Sequence, residues 1–237
     1  MRNSLTIAIR YSLCRKQFAF GDNDQESPVL DYPLQQMRIF PFLASFFALN
    51  SFASWLTQSM LHLKKISATD SSAALSLTAE IHAISSASKP YCSWKVRDCI
   101  QECREACGGH GYASVSRFGA LREDHDPNMT YEGENRVLLQ QCSRFLLRGL
   151  QAIVSKKNLT SLSPLGSLFP FVQIPSDFKL NMLSPRPQNT DLLRSLQARS
   201  SHLIRRLASF LIKCKQEGLD STTSWNLAQV SILFLKR

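Results

Sequence analysis

The sequence predicts an all-α protein: an antiparallel four-helix bundle over residues 1–157, a linker over 158–190, and the truncated start of a second helical domain over 191–237. Three observations carry this. Apolar residues recur at spacings of three and four through four segments, the signature of helices with one buried face. No stretch shows the repeated alternation of strands. After Lys157 the pattern gives way to a Ser-, Pro- and Leu-rich run with Pro164, Pro170, Pro175, Pro185 and Pro187, then returns.

Leu5, Ile7, Ala8, Ile9 and Leu13 give a short first helix over Leu5–Lys16, which Arg15-Lys16-Gln17-Phe18 is expected to end. A basic pair suits the negative end of a helix dipole. Met1 to Phe20 carries Arg2, Arg10, Arg15 and Lys16 with no acid before Asp22, a composition shared with mitochondrial presequences. A polar loop, Gly21–Ser27, ends at Pro28. Tyr32 or Pro33 then opens a long helix to about Ile66, with Met37, Phe40, Leu43, Phe47 and Leu56 at helical spacings. From Ile39 to Leu63 there is no Asp, Glu, Lys or Arg, long enough to span a bilayer. Asn50, Gln58, His62 and scattered Ser and Thr favour instead a helix wrapped by others, with no membrane span.

Thr69-Asp70-Ser71-Ser72 offers an N-cap for a helix from about Ser72 to Ala106, with Pro90 as a kink point. It stops at Gly108-Gly109, where glycine can close the last turn. Gly111–Met129 reads as a charged, irregular loop. A fourth helix begins near Glu132 and runs through Leu138, Leu139, Cys142, Phe145 and Leu146. Helical periodicity returns over Asp191–Lys215 and Thr222–Leu235, in helices that cannot close a core alone.

The net charge of +10 is unevenly spread: fourteen Lys+Arg face fourteen Asp+Glu through Cys142, and fourteen face four from Ser143 onward. That basic region lacks aromatic interleaving and any nucleic-acid fold signature, so no nucleic-acid partner is expected; a solvated face meeting an anionic ligand or another chain fits it better. Seven cysteines without framework spacing point to reduced thiols in an intracellular compartment. Cys99, Cys103 and Cys107 line one helical stripe. With no histidine on it, they read as small core residues and no metal is expected.

Glu132, in Thr130-Tyr131-Glu132-Gly133-Glu134-Asn135, is the candidate for chemistry. A carboxylate near a helix start is favoured by the dipole alone. Buried against apolar groups and a cofactor, it would instead be a base able to take a proton from carbon. Gly133 would admit a flat ring, with Glu134 and Asn135 aimed at the cofactor or at water. On local grounds both readings stand. Gly108, Gly109 and Gly111 close a helix rather than follow a strand, which argues against a nucleotide fingerprint. His110 reads as a surface hydrogen-bonding residue, and Asp124-His125-Asp126 cannot all face one ion.

Arg15-Lys16-Gln17-Phe18, Glu105-Ala106-Cys107-Gly108-Gly109-His110-Gly111-Tyr112 and Tyr131-Glu132-Gly133-Glu134-Asn135 together resemble the C-terminal helical domain of the acyl-CoA oxidase and dehydrogenase superfamily. Glu-Gly-Glu-Asn favours the oxidase branch. Pro28 to Gln36, Glu80-Ile81-His82-Ala83 and Ser86-Ala87-Ser88-Lys89-Pro90 look most like the peroxisomal type 3, pristanoyl-type, enzymes. The resemblance covers roughly residues 4 to 155.

That resemblance implies a peroxisomal FAD enzyme of fatty-acid β-oxidation, commonly a homodimer, although the chain ends Leu235-Lys236-Arg237 without a Ser-Lys-Leu address. Glu132 matches the catalytic base that takes the α-proton of a fatty acyl-CoA. The β-hydride goes to FAD, giving trans-2-enoyl-CoA, and O2 is reduced to H2O2. Arg15 and Phe18 match positions reaching the FAD of a neighbouring subunit. Glu105, Gly108 and Gly109 match the stretch near its adenine end; Gly133, Glu134 and Asn135 match the stretch flanking the flavin. Family members carry an N-terminal helical domain and a β-domain ahead of this region, so the chain is expected to be truncated and incomplete alone. Alternatives are a dehydrogenase passing electrons to an electron-transfer flavoprotein, and a non-catalytic helical fragment that docks on full-length subunits.

Overall fold

The computed structural model describes residues 1–19, 25–156, 158–168 and 189–234, with side chains described as far as Gln229. Lys157, the linker's Pro170, Pro175, Pro185 and Pro187, part of the Gly21–Ser27 loop and Leu235–Arg237 lie outside the described residues. The elements, in order, are α1 (Arg2–Cys14), β1 (Lys16–Ala19), β2 (Glu26–Pro28), α2 (Pro33–Ile66), α3 (Ser71–Ala106), α4 (Phe118–His125), α5 (Asn135–Val154), α6 (Leu159–Leu162), α7 (Asn189–Gln216) and α8 (Ser221–Phe234). Among the described residues the fold is all-α apart from β1 and β2. It divides into two compact units, Met1–His62 with Ala87–Leu138, and Leu63–Ser86 with Leu139–Arg237. That partition crosses α2, α3 and α5.

In the first unit, α1, α2, α4 and the C-terminal part of α3 enclose Leu5, Ala8, Ile39, Cys99, Ile100, Cys103, Ala106, Cys107 and Phe118. The cysteine stripe is therefore core, with the Cys99 and Cys103 sulfurs 3.9 Å apart. A buried amide links three elements: Gln35 Nε2 donates to Ser12 Oγ and to Ala106 O, both at 2.9 Å. It satisfies one of the carbonyls that the end of α3 leaves without a helical donor. Arg38, near the start of α2, pairs with Glu102 near the end of α3.

Three expectations are corrected here. Arg15-Lys16-Gln17-Phe18 does not end α1: the helix stops at Cys14 and Lys16–Ala19 pairs antiparallel with Glu26–Pro28. Phe18 sits at φ +60°, outside the right-handed helical region, and a four-residue strand is too short to show alternation. The Gly111–Met129 loop contains α4, anchored by Phe118 at 1% exposure. Finally, α2 is left largely uncovered by the described residues. Only 6% of its most apolar window is buried, and Leu34, Met37, Phe40, Phe47, Trp55, Met60 and Leu61 are exposed.

In the second unit, Asp70 caps α3, its Oδ1 accepting from the Ser72 and Ala73 amides at 2.9 Å. Ala83, Phe145 and Leu168 form a second core with Leu146, Leu150, Ile153, Leu159 and Leu162 packed around it. The described start of the expected surface linker is thus packed down rather than free, with Ser163 and Leu168 fully buried. Glu80, also fully buried, holds it: its carboxylate accepts from Ser163 Oγ and Ser167 Oγ at 2.5 Å, Leu165 N at 2.7 Å and Ser167 N at 2.9 Å. In the same unit α8 meets α5, where Trp225 Nε1 donates to Gln140 Oε1 at 3.3 Å and Gln140 Nε2 to Gln229 Oε1 at 3.1 Å.

Candidate functional site

The Glu132 turn is built from both sides by hydrogen bonds. A short 3₁₀ turn, Asp126–Met129, precedes it, and the Thr130 and Tyr131 amides donate back to Pro127 O at 3.0 and 3.1 Å. Glu132 and Gly133 then take positive φ, +54° and +99°, which ends any helical path. This is why α5 starts at Asn135 rather than at Glu132. Glu134 caps it, Oε2 accepting from the Arg136 and Val137 amides at 2.9 and 3.2 Å. That carboxylate is engaged by its own backbone, the arrangement favoured at a helix N-terminus. At Gly133 the φ of +99° calls for glycine, while a Cβ there would meet only the movable tip of Leu138, 2.9 Å from its Cδ2.

Two side chains of α3 grip this turn. Lys89 Nζ donates to Gly133 O at 2.6 Å, and Asn135 Nδ2 donates to Ser93 Oγ at 2.9 Å. Asn135 is 1% exposed, and its Oδ1 has no hydrogen-bond partner among the described residues. A buried amide oxygen without a donor costs free energy unless something supplies one. Glu132, in contrast, is exposed rather than buried, and its carboxylate makes no hydrogen bond or ion pair with the described residues.

The remaining candidates gather at the other end of this stretch of α3. Arg15 and Phe18 are exposed on and beside β1, Phe18 at 68%. Glu105 lies in a charged cluster, 3.7 Å from Arg38 Nη2, 3.6 Å from Arg104 Nη2 and accepting from Gln101 Nε2 at 2.5 Å. Gly108, at φ +56°, closes α3, and Gly109 follows it in a 3₁₀ turn. Gln35 ties Ser12 to Ala106, and Tyr11 OH meets His110 Nδ1 at 3.1 Å, so the end of α1 and the glycine turn stay together. The two groups of candidates are separate: Ser93 and Ala106 lie thirteen residues apart on α3, about 20 Å at 1.5 Å per residue.

Gly111 and Lys89, present in the sequence motifs, and Ser93 are not among the candidate site residues that the sequence predicts. A Cβ at Gly111 would overlap the Arg104 carbonyl, whereas at Gly108 and Gly109 it would meet nothing within 4 Å. The steric demand in the glycine turn therefore falls on the one glycine left out of the candidate set. Lys89 and Ser93 carry no local signal, because their partners lie more than forty residues away. His125 is likewise engaged: its Nε2 donates to Ser93 O at 2.7 Å.

A helical domain with this turn and glycine motif has known counterparts. The family model for the acyl-CoA oxidase C-alpha1 domain matches residues 1–147, and the chain belongs to the acyl-CoA oxidase family. It is 38% identical to human peroxisomal acyl-coenzyme A oxidase 3 over 98% of this chain and 34% of the human one. It is 36% identical to acyl-coenzyme A oxidase acox-3 of Caenorhabditis elegans over 95% of this chain and 33% of that protein. The chain thus spans about a third of the length of these curated relatives. Among solved structures, C. elegans acyl-CoA oxidase-1, complexed with FAD and ATP, superposes with TM-score 0.84 at 27% identity, covering 96% of this chain and 33% of that one. Tomato acyl-CoA oxidase superposes with TM-score 0.75 at 31% identity, covering 98% and 34%.

Proposed function

We propose that this chain supplies the helical, base-bearing part of a peroxisomal acyl-CoA oxidase that converts a fatty acyl-CoA and O2 to trans-2-enoyl-CoA and H2O2. The observation that carries it is the Glu132–Asn135 turn: an exposed carboxylate with no partner among the described residues, on a left-handed backbone that Asn135 anchors to Ser93 of α3. Glu132 takes the α-proton of the thioester, its carboxylate having no competing partner within the described chain. Glu134 holds the start of α5 in place and leaves proton transfer to Glu132.

The residues present fit FAD. Arg15 and Phe18 offer an exposed cation and an exposed ring to a pyrophosphate or heterocycle, Gly133 and Glu134 are exposed beside Glu132 where the flavin would lie, and Asn135, tied to Ser93, fixes that turn. FAD, when bound, accepts the β-hydride and passes its electrons to O2. Glu105, Gly108 and Gly109, at the far end of α3, fall near its adenine end on this reading. On this reading residues 1–157 belong to the helical domain that carries the base, and residues 191–234 to a second helical region. The full enzyme is a homodimer.

The test is a chimaera in which residues 1–237 replace the matching third of human peroxisomal acyl-coenzyme A oxidase 3. A flavin spectrum and peroxide formed in step with enoyl-CoA are expected. Reduced flavin that reoxidises with an electron-transfer flavoprotein but not with O2 would overturn the oxidase assignment.

A further inference from the structure

We propose that Lys89 is a positioning residue for the proton-abstracting carboxylate, an inference that rests on Glu132 being the base. The Lys89 ammonium donates to the Gly133 carbonyl oxygen at 2.6 Å, a charge-assisted hydrogen bond. That carbonyl follows two successive left-handed residues, Glu132 at φ +54° and Gly133 at φ +99°. Positive φ is unfavourable for a residue with a Cβ, and it persists only where surrounding contacts hold it.

Those contacts come from one turn of α3. Ser93 Oγ accepts from Asn135 Nδ2 at 2.9 Å and donates to Pro90 O at 3.3 Å, while Ser93 O accepts a hydrogen bond from His125 Nε2 at 2.7 Å. The Ser93–Asn135 link is buried and fixes the start of α5. The Lys89 link is exposed and acts on the backbone next to the base itself. Exposed hydrogen bonds of this kind add little to global stability. Their loss here frees the Glu132–Gly133 backbone to relax, carrying the carboxylate away from the α-carbon. Displacement of a catalytic group by about 1 Å is enough to cost roughly a hundredfold in rate.

In the chimaera, Lys89→Met is expected to lower kcat at least tenfold while KM, FAD content and Tm stay at parent values. Lys89→Arg, which keeps a cationic donor, is expected to regain at least half of kcat. Glu132→Gln, run alongside, separates the two levels: if it retains turnover, the base assignment falls. If Glu132→Gln abolishes turnover, three results overturn the role of Lys89: an unchanged kcat in Lys89→Met, a loss of kcat accompanied by loss of FAD or Tm, or no recovery in Lys89→Arg.

Discussion

Replacing Glu80 by alanine removes a buried anchor. Its carboxylate accepts four hydrogen bonds from Ser163, Leu165 and Ser167, and no cation pairs with it among the described residues. The two serine hydroxyls can rotate toward other acceptors, but the Leu165 and Ser167 amides cannot. Two part-buried N–H groups left without acceptors cost up to about 1–3 kcal/mol each, and partial relaxation brings the expected loss to about 2–4 kcal/mol. Glu80→Gln separates the contributions. Oε1 accepts from both hydroxyls and the Ser167 amide, while Oε2 accepts from Leu165 N alone. A glutamine can keep the first set and sets its NH2 against the Leu165 N–H, for a loss of about 1–3 kcal/mol. Urea unfolding followed by circular dichroism measures the totals, and amide exchange at Leu165 and Ser167 locates them. A loss under about 1 kcal/mol in Glu80→Ala, or unchanged exchange at both amides, would refute the anchoring role.

Three further outcomes are expected. Gly111→Ala drives a Cβ into the Arg104 carbonyl and should cost about 2–3 kcal/mol, a fall in Tm of roughly 5–10 °C by calorimetry. Burial pushes the Cys107 and Cys142 thiols up to about 11, so at pH 8 both stay protonated. Iodoacetamide with peptide mapping should therefore label the exposed Cys14 first and spare these two until the pH nears 11 or the chain unfolds. The Thr223 hydroxyl, then its amide, hold Asp220 below the ordinary carboxylate range, so its capping of α8 is present above its unfolded pKa and is lost as pH falls through the depressed folded value. The protection factors of the Thr222 and Thr223 amides, exchange rates relative to the unfolded chain at the same pH, should fall only in that acid window, and Asp220→Ala should remove the dependence.

Periodicity exposed the long helices because each has enough turns to repeat: α2 and α3 appear within a residue of the expected ends, and Asp70 caps α3 as its position suggests. Short elements stayed hidden. Four residues of β1 and eight of α4 give no countable period, and Phe18 left the helical region through a backbone angle that nothing local announces. The apolar face of α2 was legible as composition, but composition does not say which neighbour covers it. For the candidate site, Glu132 to Asn135 were found by motif, yet the left-handed pair that delays α5 was not. Glu80 was visible only as part of a family signature, since its four donors come from residues 163–167. Lys89 and Ser93 shared that limit: long-range partners leave no mark on the local sequence.

The acid–base role of Glu132 is tested most directly by α-proton exchange. The chimaera and its Glu132→Gln variant are incubated with acyl-CoA in deuterated buffer without O2, and α-deuterium uptake is read by mass spectrometry. The parent is expected to exchange, and Glu132→Gln to bind FAD normally yet exchange at least a thousandfold more slowly, the scale of losing a positioned general base, roughly 10²–10⁴. Exchange at the parent rate in Glu132→Gln would contradict it and move the base elsewhere.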